Sequence, residues 1–185
     1  KGFFGPKQFE NSWNVYAHMH TTAPELHNSI KKHNLPKLGA FITGAGTGGT
    51  IMGFHHYFSV RDDDFTAFPV FPVNNVDGGH RIEGIGDSFV PKILDLNSLG
   101  QVHRVKDSDA INVARQMNRL GLSVGISSGA NVFAAAIKAL ETNNDHIVAT
   151  ILCDDNKKYL STDLCSSSEE PLSKEVKIID YQMLS

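Results

Sequence analysis

Gly44-Ala45-Gly46-Thr47-Gly48-Gly49-Thr50 is the stretch on which the reading of this chain turns. An apolar run at 38–43 leads into it, and a segment with apolar residues at helical spacing, 51–60, leads out. A strand that enters a helix through small residues leaves backbone N–H groups pointing outward with no side chains to screen them. The helix N-terminus adds about half a positive charge, so the guest such a turn suits is a phosphate group. The competing reading is a turn rich in glycine only because it packs closely. Four glycines and two threonines in seven residues favour the phosphate.

Upstream of the turn, residues 13–20 read as a short helix. Thr22-Ala23-Pro24-Glu25 reads as a capping box that starts a second helix, with Leu26 and Ile30 on one face. That helix runs to about Asn34, and Pro36 disfavours any extension. Downstream, Ile51, Met52, Phe54, Tyr57 and Phe58 give the next helix a broad apolar face. Residues 66–73 are rich in Phe and Val, and Pro69 and Pro72 predict a strand that is at a sheet edge or irregular at its end. After a loop with Asn74, Asn75, Asp77, Gly78 and Gly79, residues 101–105 alternate as a short strand. Asp107 or Ser108 caps a helix carrying Ile111, Ala114, Met117 and Leu120, and Gly121 ends it. A second small-residue turn, 124–131, opens an alanine-rich helix over 132–140. Residues 146–153 form an apolar strand of the type buried on both faces, followed by a loop at 154–158 and a short helix over 159–164.

Strands alternating with helices predict an α/β layer fold with a mostly parallel sheet, whose ligands bind beyond the carboxyl ends of the strands. Both small-residue turns and the Asp154-Asp155 loop fall at strand ends, so three loops converge on one crevice. From Ser166 the chain becomes polar and reads as a tail.

The length, 185 residues with 41% hydrophobic content, suits one domain or one domain plus a tail. Seventeen Lys and Arg against 20 Asp and Glu ask for neither nucleic acid nor an anionic membrane surface. No apolar run approaches the roughly 18 residues that span a bilayer, so a soluble, cytoplasmic protein is expected. The chain opens at Lys1 without a methionine, which suggests a fragment and leaves a mitochondrial targeting segment open. Cys153 and Cys165 are too few for a disulfide framework and fit a reducing compartment. His18, His20, His27 and His33 fall on different faces around a turn, so no metal site is expected. His55-His56 reads as the polar side of a helix, Asp62-Asp63-Asp64 as a solvated loop, Cys153 as a small core residue and Cys165 as a free thiol.

Gly44, Gly46 and Gly49 also match the dinucleotide fingerprint, which needs an acidic residue at the end of the next strand to hold the ribose. That strand ends at Pro72-Val73-Asn74, and the aspartates at 62–64 precede it, so the dinucleotide reading lacks its second anchor.

Six blocks stand together: Gln8-Phe9-Glu10-Asn11, Thr21-Thr22-Ala23-Pro24-Glu25, Gly46-Thr47-Gly48-Gly49-Thr50, His80-Arg81-Ile82-Glu83-Gly84-Ile85-Gly86, Gly125-Ile126-Ser127-Ser128-Gly129-Ala130 and Tyr159-Leu160-Ser161-Thr162. In this order they resemble the cysteine synthase and cystathionine β-synthase family, pyridoxal-phosphate enzymes of the tryptophan-synthase-β type, fold type II. The resemblance runs from about Gln8 to Leu164. It implies a three-layer α/β fold, with the larger, cofactor-binding domain over 1–165 and a C-terminal tail over 166–185. It implies pyridoxal 5′-phosphate as cofactor, held by Gly46, Thr47, Gly48, Gly49 and Thr50 at its phosphate and lined by Gly125 and Ser127. Gln8 matches a residue that binds the substrate carboxylate, and Gly84 and Gly86 a loop near the substrate. The family places a small hydroxyl or thiol residue against the pyridine nitrogen; counting back from Tyr159 puts Asp155 there, a carboxylate that would keep that nitrogen protonated.

The resemblance implies a small amino-acid substrate, a homodimer, and β-replacement on an O-activated serine such as O-acetylserine, with sulfide, to give cysteine. Two departures stand out. The loop from Asn74 to Gly79 is shorter than the family's, and the family's Schiff-base lysine and its Thr-Ser-Gly-Asn-Thr-Gly loop would both precede Lys1. Lys7, Lys31, Lys32, Lys37, Lys92 and Lys106 read as solvated charges, so the chain alone is expected to be inactive. The alternatives are a cystathionine β-synthase-type activity, and a non-catalytic domain of this descent that acts through a protein partner.

Overall fold

The structure, a computed structural model, describes residues 3–73, 79–86, 89–142, 145–165, 171–174 and 176–184. Two helices, α1 (Trp13–His20) and α2 (Thr22–Lys32), precede β1 (Lys37–Gly44), α3 (Gly49–Phe58) and β2 (Thr66–Pro72). Then come β3 (His103–Val105), α4 (Asp107–Arg119), α5 (Ile126–Glu141) and β4 (His146–Thr150). The four strands form a parallel sheet in the order β3-β2-β1-β4.

Period-2 alternation sends successive strand residues to opposite faces. Ile42, Phe68, Val70 and Val148 pack with α4 and α5, and Phe41, Ala67, Ile147 and Ala149 pack with α2 and α3. The result is the predicted three-layer arrangement, helices on both faces of a parallel sheet. Leu38 breaks the alternation by joining Phe41 in the second cluster, because the pairing with β4 slips by one residue between Leu38 and Ala40.

Several expectations are corrected. β2 is interior rather than an edge strand. Val70 O accepts from Ala45 N on the β1 side and Ala67 O from Gly100 N on the other, so Pro69, in step with Ala67, aims its donor-less nitrogen away from β1. Pairing with β3 begins only at Val70, and no strand bond is lost. The helix expected over 132–140 begins at Ile126, so Ser127 to Asn131 are helical and buried instead of forming a turn. β4, at the sheet edge, packs on both faces but is only partly buried along its length, where full burial was expected. The capping box does not form: Thr21 is the N-cap of α2, and no side chain caps it. Thr22 turns its hydroxyl to His18 Nδ1 instead, at 3.0 Å.

Beyond residue 170 the described tail is docked on α4. Asp109, buried in the first turn of α4, accepts from Ser173 N at 2.7 Å and Ser173 Oγ at 2.5 Å. Gln116 donates to Val176 O at 3.1 Å and accepts from Ile178 N at 2.8 Å.

One buried side chain fixes the carboxyl ends of the sheet. Asn131 on α5 accepts from Gly44 N at 2.7 Å and donates to Ile151 O at 3.0 Å, bridging the ends of β1 and β4. Asn131→Ala strands a donor and an acceptor at once and should cost about 2–6 kcal/mol, the desolvation cost of two unmet groups. Urea unfolding should show the midpoint falling with an unchanged slope.

Candidate functional site

At the carboxyl ends of the strands lies a crevice of about 430 Å³. A larger groove lies near the amino end of β1 beside His27 and Asp62, and one of similar volume between α4 and the tail. Neither is at the strand ends, where parallel α/β sheets bind ligands.

The crevice is built from three connections. The first is the glycine turn, where Gly44, Gly46, Thr47, Gly48 and Thr50 face the opening. Gly48 has φ +88°, which lets the chain turn from β1 into the first turn of α3. The second is the loop carrying Glu83, Gly84 and Ile85, which lies directly on the first. A Cβ on Gly46 would stand 2.2 Å from Gly84 O, and one on Gly44 would stand 2.3 Å from Ile85 Cγ2. Gly84, at φ +84°, has nothing within 4 Å of where its own Cβ would be. The third comprises Ile151, Cys153, Asp154, Lys158 and Tyr159 after β4, with Ser127 from α5.

Both threonines of the glycine turn are gripped from behind by α1. Asn14 Nδ2 donates to Thr47 Oγ1 and to Gln8 O, each at 2.9 Å. His18 Nε2 lies 3.1 Å from Thr50 Oγ1. Gly49 N, at 3.3 Å, also donates to Thr47 Oγ1, which therefore accepts twice and keeps its own hydrogen for the opening.

On the opposite wall, Asp154 Oδ2 takes the hydroxyl of Tyr159 at 2.9 Å and the ammonium of Lys158 at 2.7 Å. Its Oδ1 is buried with no partner among the described residues. The Lys158 pKa is raised, chiefly by the hydrogen bond to Asp154, so its amine is held protonated. Burial, with help from Asp154, pushes the Tyr159 hydroxyl well above its ordinary value, so it stays a donor. Desolvation raises the Cys153 thiol.

Of the residues expected at the site, Gly46, Thr47, Gly48, Thr50, Gly84 and Ser127 face the crevice. Gly49 stands behind it against Asn14, and Gly125 behind Asp154, where a Cβ would come 2.1 Å from Oδ1. Gly86 donates to Ala45 O at 3.2 Å and lies against Pro72, outside the lining. Gln8 is exposed and enters only through its carbonyl, on Asn14. Asp155 is corrected: its carboxylate caps Lys157 N at 2.8 Å and pairs with the Lys157 ammonium, and its neighbour Asp154 is the one facing the crevice. Cys153, expected in the core, is exposed at the crevice. The shortened loop at Asn74 to Gly78 lies outside the described residues. Among the described residues no helix is long and apolar enough to cross a membrane, and no cluster of His, Cys, Asp or Glu is placed to hold a metal. Asn14, His18 and Asp154 were not foreseen; the Asn14–His18 spacing of four is a helix-face signal, but nothing in the sequence says that this face meets the glycine turn.

A parallel α/β sheet with a glycine turn, two threonines and a helix N-terminus lining a crevice at its strand ends is the arrangement in which α/β domains place ligands, and a helix N-terminus there suits an anion. The chain belongs to the pyridoxal-phosphate dependent enzyme family, which matches residues 1–154. It is 40% identical over 167 residues to cysteine synthase B of Campylobacter jejuni, covering 87% of this chain and 54% of that protein. It is 36% identical over 168 residues to a probable cysteine synthase of Bacillus subtilis, again covering 87% and 54%. The chain thus spans about half the length of these relatives. A hydrogen sulfide-producing enzyme of Fusobacterium nucleatum has a similar structure, with a TM-score of 0.84 and 34% identity over 95% of this chain and 58% of that one. An O-acetylserine dependent cystathionine β-synthase of Helicobacter pylori has a TM-score of 0.74 and 33% identity over 86% of this chain and 53% of its own.

The crevice fits a cofactor of this kind. Its volume lies in the range of about 300–1,000 Å³ usual for small-ligand sites, and Gly84 leaves open space at one wall. Alkylation of Cys153 by iodoacetamide, followed by mass spectrometry, should be slow at neutral pH. It should quicken only as the pH passes a thiol's ordinary pKa of about 8.5, and be slower still with saturating pyridoxal 5′-phosphate. A rate that ignores the cofactor would take Cys153 out of the site.

Proposed function

We propose that these residues are the phosphate-holding part of a cysteine synthase-like enzyme that replaces the β-substituent of O-acetylserine, or a similar O-activated serine, with sulfide to give cysteine. The observation that carries this is the placement of Thr47 and Thr50 with the glycine turn at the strand ends, in a chain 40% identical to a cysteine synthase. Bound here, pyridoxal phosphate supplies an electron sink for charge developing at the substrate's α-carbon.

In this reading the N–H groups of Gly46, Thr47, Gly48 and Thr50, the two threonine hydroxyls and the α3 dipole bind the phosphate dianion, and Gly49 supports them from behind by donating to Thr47 Oγ1. Ser127 lines the cofactor pocket, and Gly125 leaves room for the Asp154 carboxylate behind it. Gly84 and Gly86 shape the substrate loop, and Gln8 supplies a donor for the substrate carboxylate. Lys158 faces the crevice but is protonated and paired with Asp154, and a Schiff-base lysine must attack as the free amine. In this proposal, as the family resemblance implies, the Schiff-base lysine is one outside residues 1–185. The working protein is a cytoplasmic homodimer in this proposal.

The likeness to a cystathionine β-synthase favours one second reading, in which homocysteine is the incoming nucleophile. The full-length protein, given O-acetylserine and the cofactor, should form cysteine with sulfide. Formation of cystathionine from homocysteine with no cysteine from sulfide would install the second reading. Borohydride should fix the cofactor on a lysine outside residues 1–185; attachment at Lys158 would overturn the assignment. Thr47→Ala should weaken pyridoxal phosphate binding about 10- to 100-fold, the loss expected for one hydrogen bond to a charged group, as read by fluorescence titration.

A further inference from the structure

The outer face of α1 explains a feature of the phosphate cradle that the glycine turn alone does not. Asn14 and His18 are one helical turn apart, and both point at α3. α3 receives them through two glycines with the same spacing of four. A Cβ on Gly49 would stand 1.9 Å from Asn14 Oδ1, and one on Gly53 would stand 2.6 Å from His18 Cβ and 2.9 Å from Val15 O. The two glycines thus form a slot that seats the Asn14–His18 face directly behind the two threonines.

Donor and acceptor roles along this face follow from the partners. Gln8 O can only accept, so Asn14 presents its amide nitrogen, and Thr47 Oγ1 accepts from it. For His18 two arrangements are possible. If Nδ1 carries the proton, Nε2 accepts from Thr50, whose only hydroxyl hydrogen is then drawn away from the crevice. If Nε2 carries it, Thr50 Oγ1 accepts and its hydrogen remains for an anion. The second arrangement needs Thr22 to donate to Nδ1. Thr21 Oγ1 already gives its hydrogen to Ala17 O at 2.8 Å, so it cannot donate to Thr22, and Nδ1, at 3.0 Å, is a nearer acceptor for the Thr22 hydrogen than Thr21 Oγ1 at 3.4 Å.

We infer that His18 is a positioning residue for the cofactor phosphate: held by Thr22 as the Nε2–H tautomer, it donates to Thr50 Oγ1 and so makes Thr50 a donor toward the anion, as Asn14 does for Thr47. The inference rests on the reading of Thr47 and Thr50 as phosphate ligands given above. His18 is half-buried and its desolvation favours the neutral ring, so the tautomer, not a charge, carries the effect.

The test uses the full-length protein at pH 8 and pyridoxal 5′-phosphate. Thr50→Ala should weaken binding roughly 10- to 100-fold, and His18→Leu roughly 5- to 50-fold, with a shift of the bound phosphate's 31P resonance. His18→Gln places an amide N–H where Nε2 was and should stay within about threefold of the parent. Because His18 acts through Thr50, adding His18→Leu to Thr50→Ala should cost nothing further. No effect of Thr50→Ala overturns the phosphate reading and this inference with it. A loss at Thr50→Ala with none at His18→Leu, a full additional loss in the double variant, or an equal loss in His18→Gln overturns the inference alone. In the unmodified protein, ring 15N spectra with the cofactor bound should show Nε2–H and an unprotonated Nδ1; the opposite tautomer overturns it whatever the variants do.

Discussion

Just past the last paired residues, Ile42 and Thr150, the carboxyl ends of β1 and β4 are tied together by one amide, that of Asn131. Its Oδ1 takes the N–H of Gly44, the last residue of β1, and its Nδ2 takes the carbonyl of Ile151, just past the end of β4. Nδ2 also reaches Cys153 Sγ at 3.5 Å. The glycine turn leaves from one of these points and the Cys153-Asp154 wall from the other, so this bridge sits at the root of both walls of the crevice. A fully buried amide with donor and acceptor both used directs a backbone more strongly than apolar contacts, because any shift leaves polar groups unmet.

Close packing accounts for all four glycines of the turn. Gly44, Gly46, Gly48 and Gly49 are required by protein neighbours: Ile85, the Gly84 carbonyl, Leu94 and Asn14 occupy the space a Cβ would need. The close approach that results brings Asn14 and His18 onto the threonines from behind and the Gly84 loop over them from the front. What this leaves at the crevice is Thr47, Thr50 and the N-terminus of α3, the groups on which the proposed phosphate binding rests.

The elements themselves were legible. Apolar spacing located α1, β1, α3, β2 and α4 to within a few residues, and strand–helix alternation gave the parallel sheet, because both are consequences of local periodicity. The errors lie where tertiary contacts decide. Pro69 sits in an interior strand because its nitrogen faces the stretch before β3 begins, which no local rule reveals. Ser127 to Asn131 read as a turn from their small side chains, yet small residues are what lets α5 press against α4, as Gly129 does where a Cβ would meet Ala110 O at 2.0 Å. Asp154 and Asp155 are adjacent in sequence, and only the turn after β4 sets one toward the crevice and makes the other a cap for the 3₁₀ turn at Asn156–Tyr159. Six short blocks in order carried the family, whereas the residues behind those blocks, Asn14, His18 and Asn131, act through geometry that spacing alone does not encode.

The central claim is that the turn from β1 into α3 holds the phosphate of pyridoxal 5′-phosphate. The most direct measurement is a crystal structure of the full-length protein grown with that cofactor. The account predicts the phosphorus at the N-terminus of α3, with the Thr47 and Thr50 hydroxyls and the turn's N–H groups within hydrogen-bond distance of its oxygens and Asp155 still on Lys157. A phosphate bound anywhere else, with Thr47 and Thr50 out of its reach, would contradict it.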